Sequence, residues 1–178
     1  MGKFTHMAKS RQGQQNAEVI ALLAGKRGAG SGKGPTQEQI KWELLGGKHF
    51  SSHMPATSME FYEAMRGGVP KLSVDILAGV MAVSMTTMAV LLNLSYKTLT
   101  RKDKKELLDP VVSSHTYEMS DIIAKGLEVF EDRDKLNAWL HKENRALSGK
   151  RPFDLLDTPT GIKFVNQVLG RLEEGVYS

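Results

Sequence analysis

The stretch from Ile76 to Tyr96, ILAGVMAVSMTTMAVLLNLSY, runs 21 residues without a charge, and so apolar a segment must leave water when the chain folds. Its length would let a helix span a bilayer. Ser84, Thr86, Thr87, Asn93 and Ser95 interrupt it, however, and its flanks are not polarised as those of a membrane anchor are. We expect no membrane span. The stretch divides better into two short helices, Ser73 to about Ala82 and about Thr86 to Leu92, broken at Val83 to Met85. A third helix starts at Ser95, whose hydroxyl can cap it. That division has the size of a helix-turn-helix, with Met88 to Leu92 in its first helix and Asn93 at the left-handed turn. Ser95 to about Lys102 is then the recognition helix, and Ser95, Tyr96, Lys97, Thr98, Arg101 and Lys102 form a candidate DNA-binding set.

Elsewhere apolar residues recur at helical spacing and strand-like alternation is absent, so the fold class is all-α. From Ser58 a helix should place Phe61, Tyr62 and Met65 on one face and stop at Gly67 and Gly68. Nearer the N-terminus, Ala17 to Leu23 and Ile40 to Leu45 read as two short helices either side of the flexible, basic GKRGAGSGKGPT. This run lacks the Ser or Thr after Gly32-Lys33 that a phosphate loop needs, and no strand precedes it. With 178 residues, 40% of them hydrophobic, the chain has room for a packed core. We divide it into a basic extension over 1–54, a helix-turn-helix domain over 55–108 and a second small helical domain over 109–178.

Charge follows this division. Residues 1–54 carry 8 basic and 3 acidic groups, 55–108 carry 7 and 5, and 109–178 carry 9 and 12, giving +5, +2 and −3 and recovering the net +4. A basic front and an acidic back suit two different partners, although an arbitrary drift of surface charge gives the same count. The absence of cysteine excludes disulfides, thiolate metal sites and cysteine nucleophiles, and fits a reducing cytoplasm. Met1 to Gln15 is basic and polar without the apolar run of a signal peptide. His49 and His53 stand four apart but lack a third ligand, and Ser51, Ser52 and Pro55 argue for a loop there. His115 and His141 have no evident partner and read as surface or packing residues, and the methionines, Met81, Met85, Met88 and Met119 among them, as core filling. Nothing assembles a nucleophile, a base and an orienting acid, so we expect neither an enzyme nor a cofactor.

The segment from Gly149 to Ser178, GKRPFDLLDTPTGIKFVNQVLGRLEEGVYS, holds one amphipathic helix. Asp157 or Thr158 can cap it, Pro159 suits its first turn, and Ile162, Val165, Val168, Leu169 and Leu172 share a face. Glu173 and Glu174 fall at the negative end of the helix dipole, where they call either for an outside cation or for water. Gly175 can take the left-handed cap before Val176, Tyr177 and Ser178.

This segment resembles the C-terminal toxin-binding domain of the Xre/MbcA/ParS antitoxins. That pattern runs Gly-Arg-Pro-hydrophobic-Asp-Leu-Leu-Asp-Thr and then a helix ending Gly-Arg-Ile/Leu-Glu-x-Gly-Val-Tyr/Phe. Leu127 to Leu147, LEVFEDRDKLNAWLHKENRAL, resembles the same domain's preceding helix. Gly68 to Arg101 is similar to the central Xre-type domain, with Leu94, Ser95, Thr98, Leu99 and Arg101 at the pattern's positions. It departs from that pattern at Met85, Thr86 and Thr87, where the family commonly carries a charge.

The resemblance implies an antitoxin of a type II pair whose partner is a RES-domain, NAD-consuming toxin. It implies blocking of the toxin's active site by Arg171, Glu173, Glu174, Gly175, Val176, Tyr177 and Ser178, and autorepression through operator DNA, as a homodimer. The rival reading is a stand-alone DNA-binding regulator whose C-terminal domain only dimerises, and toxicity of the adjacent gene product separates the two.

Overall fold

A computed structural model describes residues 35–175, which form eight α-helices and three short 3-10 turns. The order is α1 (Gln37–Leu44), α2 (Ser58–Arg66), α3 (Leu72–Val80), α4 (Met85–Leu91), α5 (Tyr96–Arg101), α6 (Pro110–Phe130), α7 (Arg133–Leu140) and α8 (Pro159–Glu173). Extended pairing among the described residues is limited to one isolated antiparallel bridge, Pro70 with Leu107. The expected helix at Ala17 to Leu23 and the glycine-rich run up to Gly34 lie outside the described residues.

Helix α6 is the spine. Asp109 caps it through the Val111 and Val112 amides and Pro110 occupies its first turn, where a missing N–H and a fixed φ cost nothing. Its 21 residues pack against α1, α2, α3, α7 and α8. Ser113, Thr116 and Ser120 are buried along it, and their hydroxyls donate to the Leu108, Val112 and Thr116 carbonyls. Close helix contact therefore leaves no unsatisfied hydroxyl on this face.

Helix α3 is buried over Leu72 to Ala78 and again at Val80, as a helix apolar on nearly every side must be. Its one charge, Asp75, is held by Lys71 at 2.7 Å with both side chains buried. No single described helix is long and apolar enough to cross a membrane, and α3 and α4 meet at 108°. The uncharged stretch is thus two core helices and the start of a third.

On α1, Lys41 is a buried cation. Its Nζ lies 2.9 Å from Asp121 Oδ1, 4.4 Å from the centre of the Tyr117 ring and 4.7 Å from that of Phe61. Burial is the largest influence on its pKa and pulls it down. The interactions with Tyr117 and Asp121 together outweigh that and hold the pKa above the ordinary lysine value. The ammonium is therefore charged at neutral pH and fastens α1 to α6.

Two expectations need correction. On α2, Phe61 is buried and Met65 packs on the core, but Tyr62 is 47% exposed. Residues 61 and 65 lie one turn apart, whereas residue 62 is rotated about 100° away from that face. Leu127 to Leu147 is not one helix. Helix α6 ends at Phe130 where Glu131 turns left-handed (φ 53°), Asp132 caps α7, and Arg145–Leu147 is a separate 3-10 turn.

Helix α8 returns along α6, burying Ile162, Val165, Val168 and Leu169 and half-burying Leu172. Each fully buried aliphatic side chain contributes roughly 1.5–3 kcal/mol. Thr158, rather than Asp157, supplies the cap, accepting from the Gly161 amide. Gly161 is required sterically, because a Cβ there would lie 2.0 Å from the Leu155 carbonyl oxygen. Gly161→Ala should therefore lower the urea midpoint by the equivalent of at least about 2 kcal/mol, since backbone must move. Gly149→Ala, with positive φ but nothing within 4 Å of the new methyl, should cost only about 1 kcal/mol.

Candidate functional site

Two surfaces carry the candidate residues. The first is built on the pair α4 and α5. Ser84 caps α4 through the Thr87 amide, and Ser95 caps α5 through the Thr98 amide. Between them the chain turns at Asn93, whose φ of 54° is left-handed as expected. The Asn93 amide N–H donates to Val90 O and the Leu94 N–H to Ala89 O, at 3.0 and 2.8 Å, the paired bonds of a Schellman turn. A helix of six residues has little stability of its own. Leu99, fully buried, and Leu94, packed against the core, hold α5 in place.

That packing leaves Tyr96, Lys97, Thr98, Thr100 and Arg101 exposed. Lys97 and Arg101 are four residues apart on one face, and neither makes a salt bridge among the described residues. Arg101 does add to the positive field at Glu106. Three of the predicted DNA-binding residues are already engaged within the fold. The hydroxyls of Ser95 and Thr98 lie 2.7 Å apart and close the helix cap. Lys102 is half-buried and forms an ion pair with Glu106, whose pKa is lowered chiefly by that hydrogen bond.

The loop after α5 is anchored as well. The Leu72 N–H donates to Lys104 O, the Lys71 N–H to Glu106 O, and the Leu108 N–H to Val69 O. The basic run from Arg101 to Lys105 is thereby fixed against the entry to α3. The positive surface thus consists of Lys97 and Arg101 on α5 together with the exposed Lys105.

The second surface is the end of α8. Arg171 and Glu174 are exposed, and Gly175 adopts φ 70° after the helix closes. Glu173 has an intramolecular partner that the sequence did not reveal, Lys125 Nζ on α6 at 3.4 Å. The same ammonium lies 3.5 Å from where a Cβ on Gly170 would stand. Glu173 therefore does not depend on an outside cation to offset the helix dipole. Val176, Tyr177 and Ser178 lie outside the described residues.

Other candidates fall away from both surfaces. His115 is buried with Nε2 2.7 Å from Leu156 O, and His141 lies against Phe153 with ring centres 4.5 Å apart. Among the described residues no three His, Cys, Asp or Glu side chains converge for a metal. Met81, Met88 and Met119 are buried in the core and Met85 packs against it. A half-open cleft of about 490 Å³ is lined by Thr36, Lys41, Pro55, Phe61 and Asp121 among others, and its one cation is already paired.

Residues 60–119 match the antitoxin Xre-like helix-turn-helix domain, and residues 125–175 match the antitoxin Xre/MbcA/ParS C-terminal toxin-binding domain. The chain belongs to the Xre/MbcA/ParS antitoxins. No curated protein matches it. In this antitoxin the first match runs from within α2 through α3, α4 and α5 into the front of α6, and the second begins inside α6 and ends at Gly175. The two domains imply a DNA partner and a toxin partner. Helix α1 precedes both matches, yet Lys41 joins it to the spine.

The antitoxin's recognition helix depends on its cap. Ser95→Ala should cost about 1 kcal/mol of stability, whereas Ser95→Asp, which keeps an accepting oxygen, should cost almost nothing. Thermal unfolding of the two variants beside the wild type checks this.

Proposed function

We propose that this antitoxin neutralises a RES-domain toxin that consumes NAD or transfers from it, by laying the end of α8 and its tail over the toxin's active site. The blocking group is Arg171, Glu173, Glu174, Gly175, Val176, Tyr177 and Ser178. The observation that carries the reading is the toxin-binding match running to Gly175, where the helix ends with Arg171 and Glu174 exposed. A pocket that binds a pyrophosphate must present cations, and carboxylates on the end of a helix are complementary to them. The pair between Lys125 and Glu173 is no obstacle. Glu173 is half-exposed, and a solvated ion pair of this kind contributes only about 0–1 kcal/mol. Exchanging Lys125 for a toxin cation therefore costs little, while Glu174 is open to solvent from the outset.

The antitoxin acts in the cytoplasm, without catalysis of its own, and as a homodimer represses its operon through α5. Tyr96, Lys97 and Arg101 meet the DNA directly. Ser95 and Thr98 hold the helix N-terminus in register, and Lys102 braces its end against Glu106. A symmetric dimer suits this role because it presents two α5 helices to two half-sites.

Removing residues 173–178 should abolish protection of cells expressing the toxin while leaving the circular dichroism spectrum and unfolding midpoint of the antitoxin almost unchanged. Full protection by the truncated chain would falsify the blocking role. Replacing Lys97 and Arg101 together with alanine should weaken operator binding and flatten its salt dependence by about two phosphate contacts, with toxin binding retained. An unchanged gel-shift titration for that double variant would contradict the assignment of α5.

A further inference from the structure

The segment Leu155-Leu156-Asp157, which leads into α8, presents three successive carbonyls, and each meets a different part of the molecule. Leu155 O lies against Gly161 of α8, so closely that a Cβ there would stand 2.0 Å away. Leu156 O is 2.7 Å from His115 Nε2 on α6. Asp157 O accepts from Asn93 Nδ2 at 3.2 Å, across 64 residues of sequence. Asn93 is the left-handed residue of the turn between α4 and α5, and Asp157 immediately precedes the Thr158 cap of α8.

Glycine would satisfy the backbone at Asn93 with less strain. Asparagine adds an amide donor, and that donor reaches the start of the toxin-binding helix. A second amide makes a parallel link, Asn137 Nδ2 on α7 donating to Val80 O at the end of α3 at 2.9 Å.

We infer that Asn93 is a positioning residue that ties the helix-turn-helix turn to the cap of α8, so that displacement of α5 is transmitted to the helix carrying the toxin-blocking end. The transmission to α8 stands on the hydrogen bond itself. Its consequence for two ligands rests on the proposed function. A strap in contact on three sides, with His115, Gly161 and Asn93, has few ways to move. Losing one of its three anchors frees the first turn of α8 without unwinding α5.

Amide hydrogen exchange on the full chain tests this, with Asn93→Gly and Asn93→Asp. Both residues tolerate the left-handed backbone, and neither can donate to Asp157 O. The Gly161 and Ile162 amides, which bond to Thr158 Oγ1 and Thr158 O, should exchange roughly fivefold faster in both variants. The Leu99 amide, bonded to Ser95 O inside α5, should keep its wild-type rate. A purely turn-forming role for Asn93 predicts the reverse, with any change at Leu99 and none at Gly161 and Ile162, and that result overturns the inference.

Adding a duplex of the region upstream of the antitoxin's own gene should alter exchange at Gly161 and Ile162 in the wild type and not in the variants. Duplex bound by the wild type with no change at those amides also overturns it. A wild type that binds no DNA sinks the proposed repression instead, and the comparison of the free chains still decides the role of Asn93.

Discussion

Every binding surface of this antitoxin is oriented by the packing of α6. That one helix buries side chains against α1, α2, α3, α7 and α8, and it can do so because Ser113, Thr116 and Ser120 keep its crowded face narrow while returning their hydroxyls to backbone carbonyls. Larger side chains would push the neighbouring helices outward, and unbonded hydroxyls would each carry a desolvation penalty of about 1–3 kcal/mol. The toxin-binding helix α8 is thus mounted directly on α6, and the recognition helix α5 reaches it through α4 and α3. They are parts of one continuous core that runs from Ile40 to Leu169.

Charge is handled differently in the interior and at the surfaces. Lys41 and Lys71 are buried with carboxylate partners and serve as fasteners, where removing one partner would strand the other in a medium that solvates it poorly. At the two binding surfaces Lys102 is held tightly by Glu106, but the other charges are loosely paired or free of salt bridges among the described residues. Lys97 and Arg101 make no salt bridge among the described residues, and Glu173 holds Lys125 at a distance and exposure where water competes. Under the proposed function these groups have to be released cheaply to a partner, and screened pairs meet that condition.

Much of this was legible in the sequence because it is written in local chemistry. Ser95, Thr158 and Pro159 mark helix starts, Asn93 and Gly175 mark left-handed ends, and the period of Ile162, Val165 and Leu169 fixes the buried face of α8. The helix-turn-helix and toxin-binding resemblances follow from the same residues. What was not legible depends on contacts between distant residues. Nothing near Lys102 announces that Glu106 will claim it, and nothing near Glu173 points to Lys125, 48 positions earlier. The unbroken course of α6 was hidden by its buried Ser and Thr, which blur the apolar period. The break after Phe130 turns on Glu131, an unusual residue for a left-handed cap. Asn93 was readable as a turn residue, but its bond to Asp157 exists only once α8 is docked.

Placing the end of α8 inside an NAD site is the central claim, and calorimetric titration of NAD into the toxin tests it most directly. Free toxin should bind NAD, and the purified toxin–antitoxin complex should not. Unimpaired NAD binding by the stoichiometric complex would contradict the claim and would place the antitoxin's contact elsewhere on the toxin.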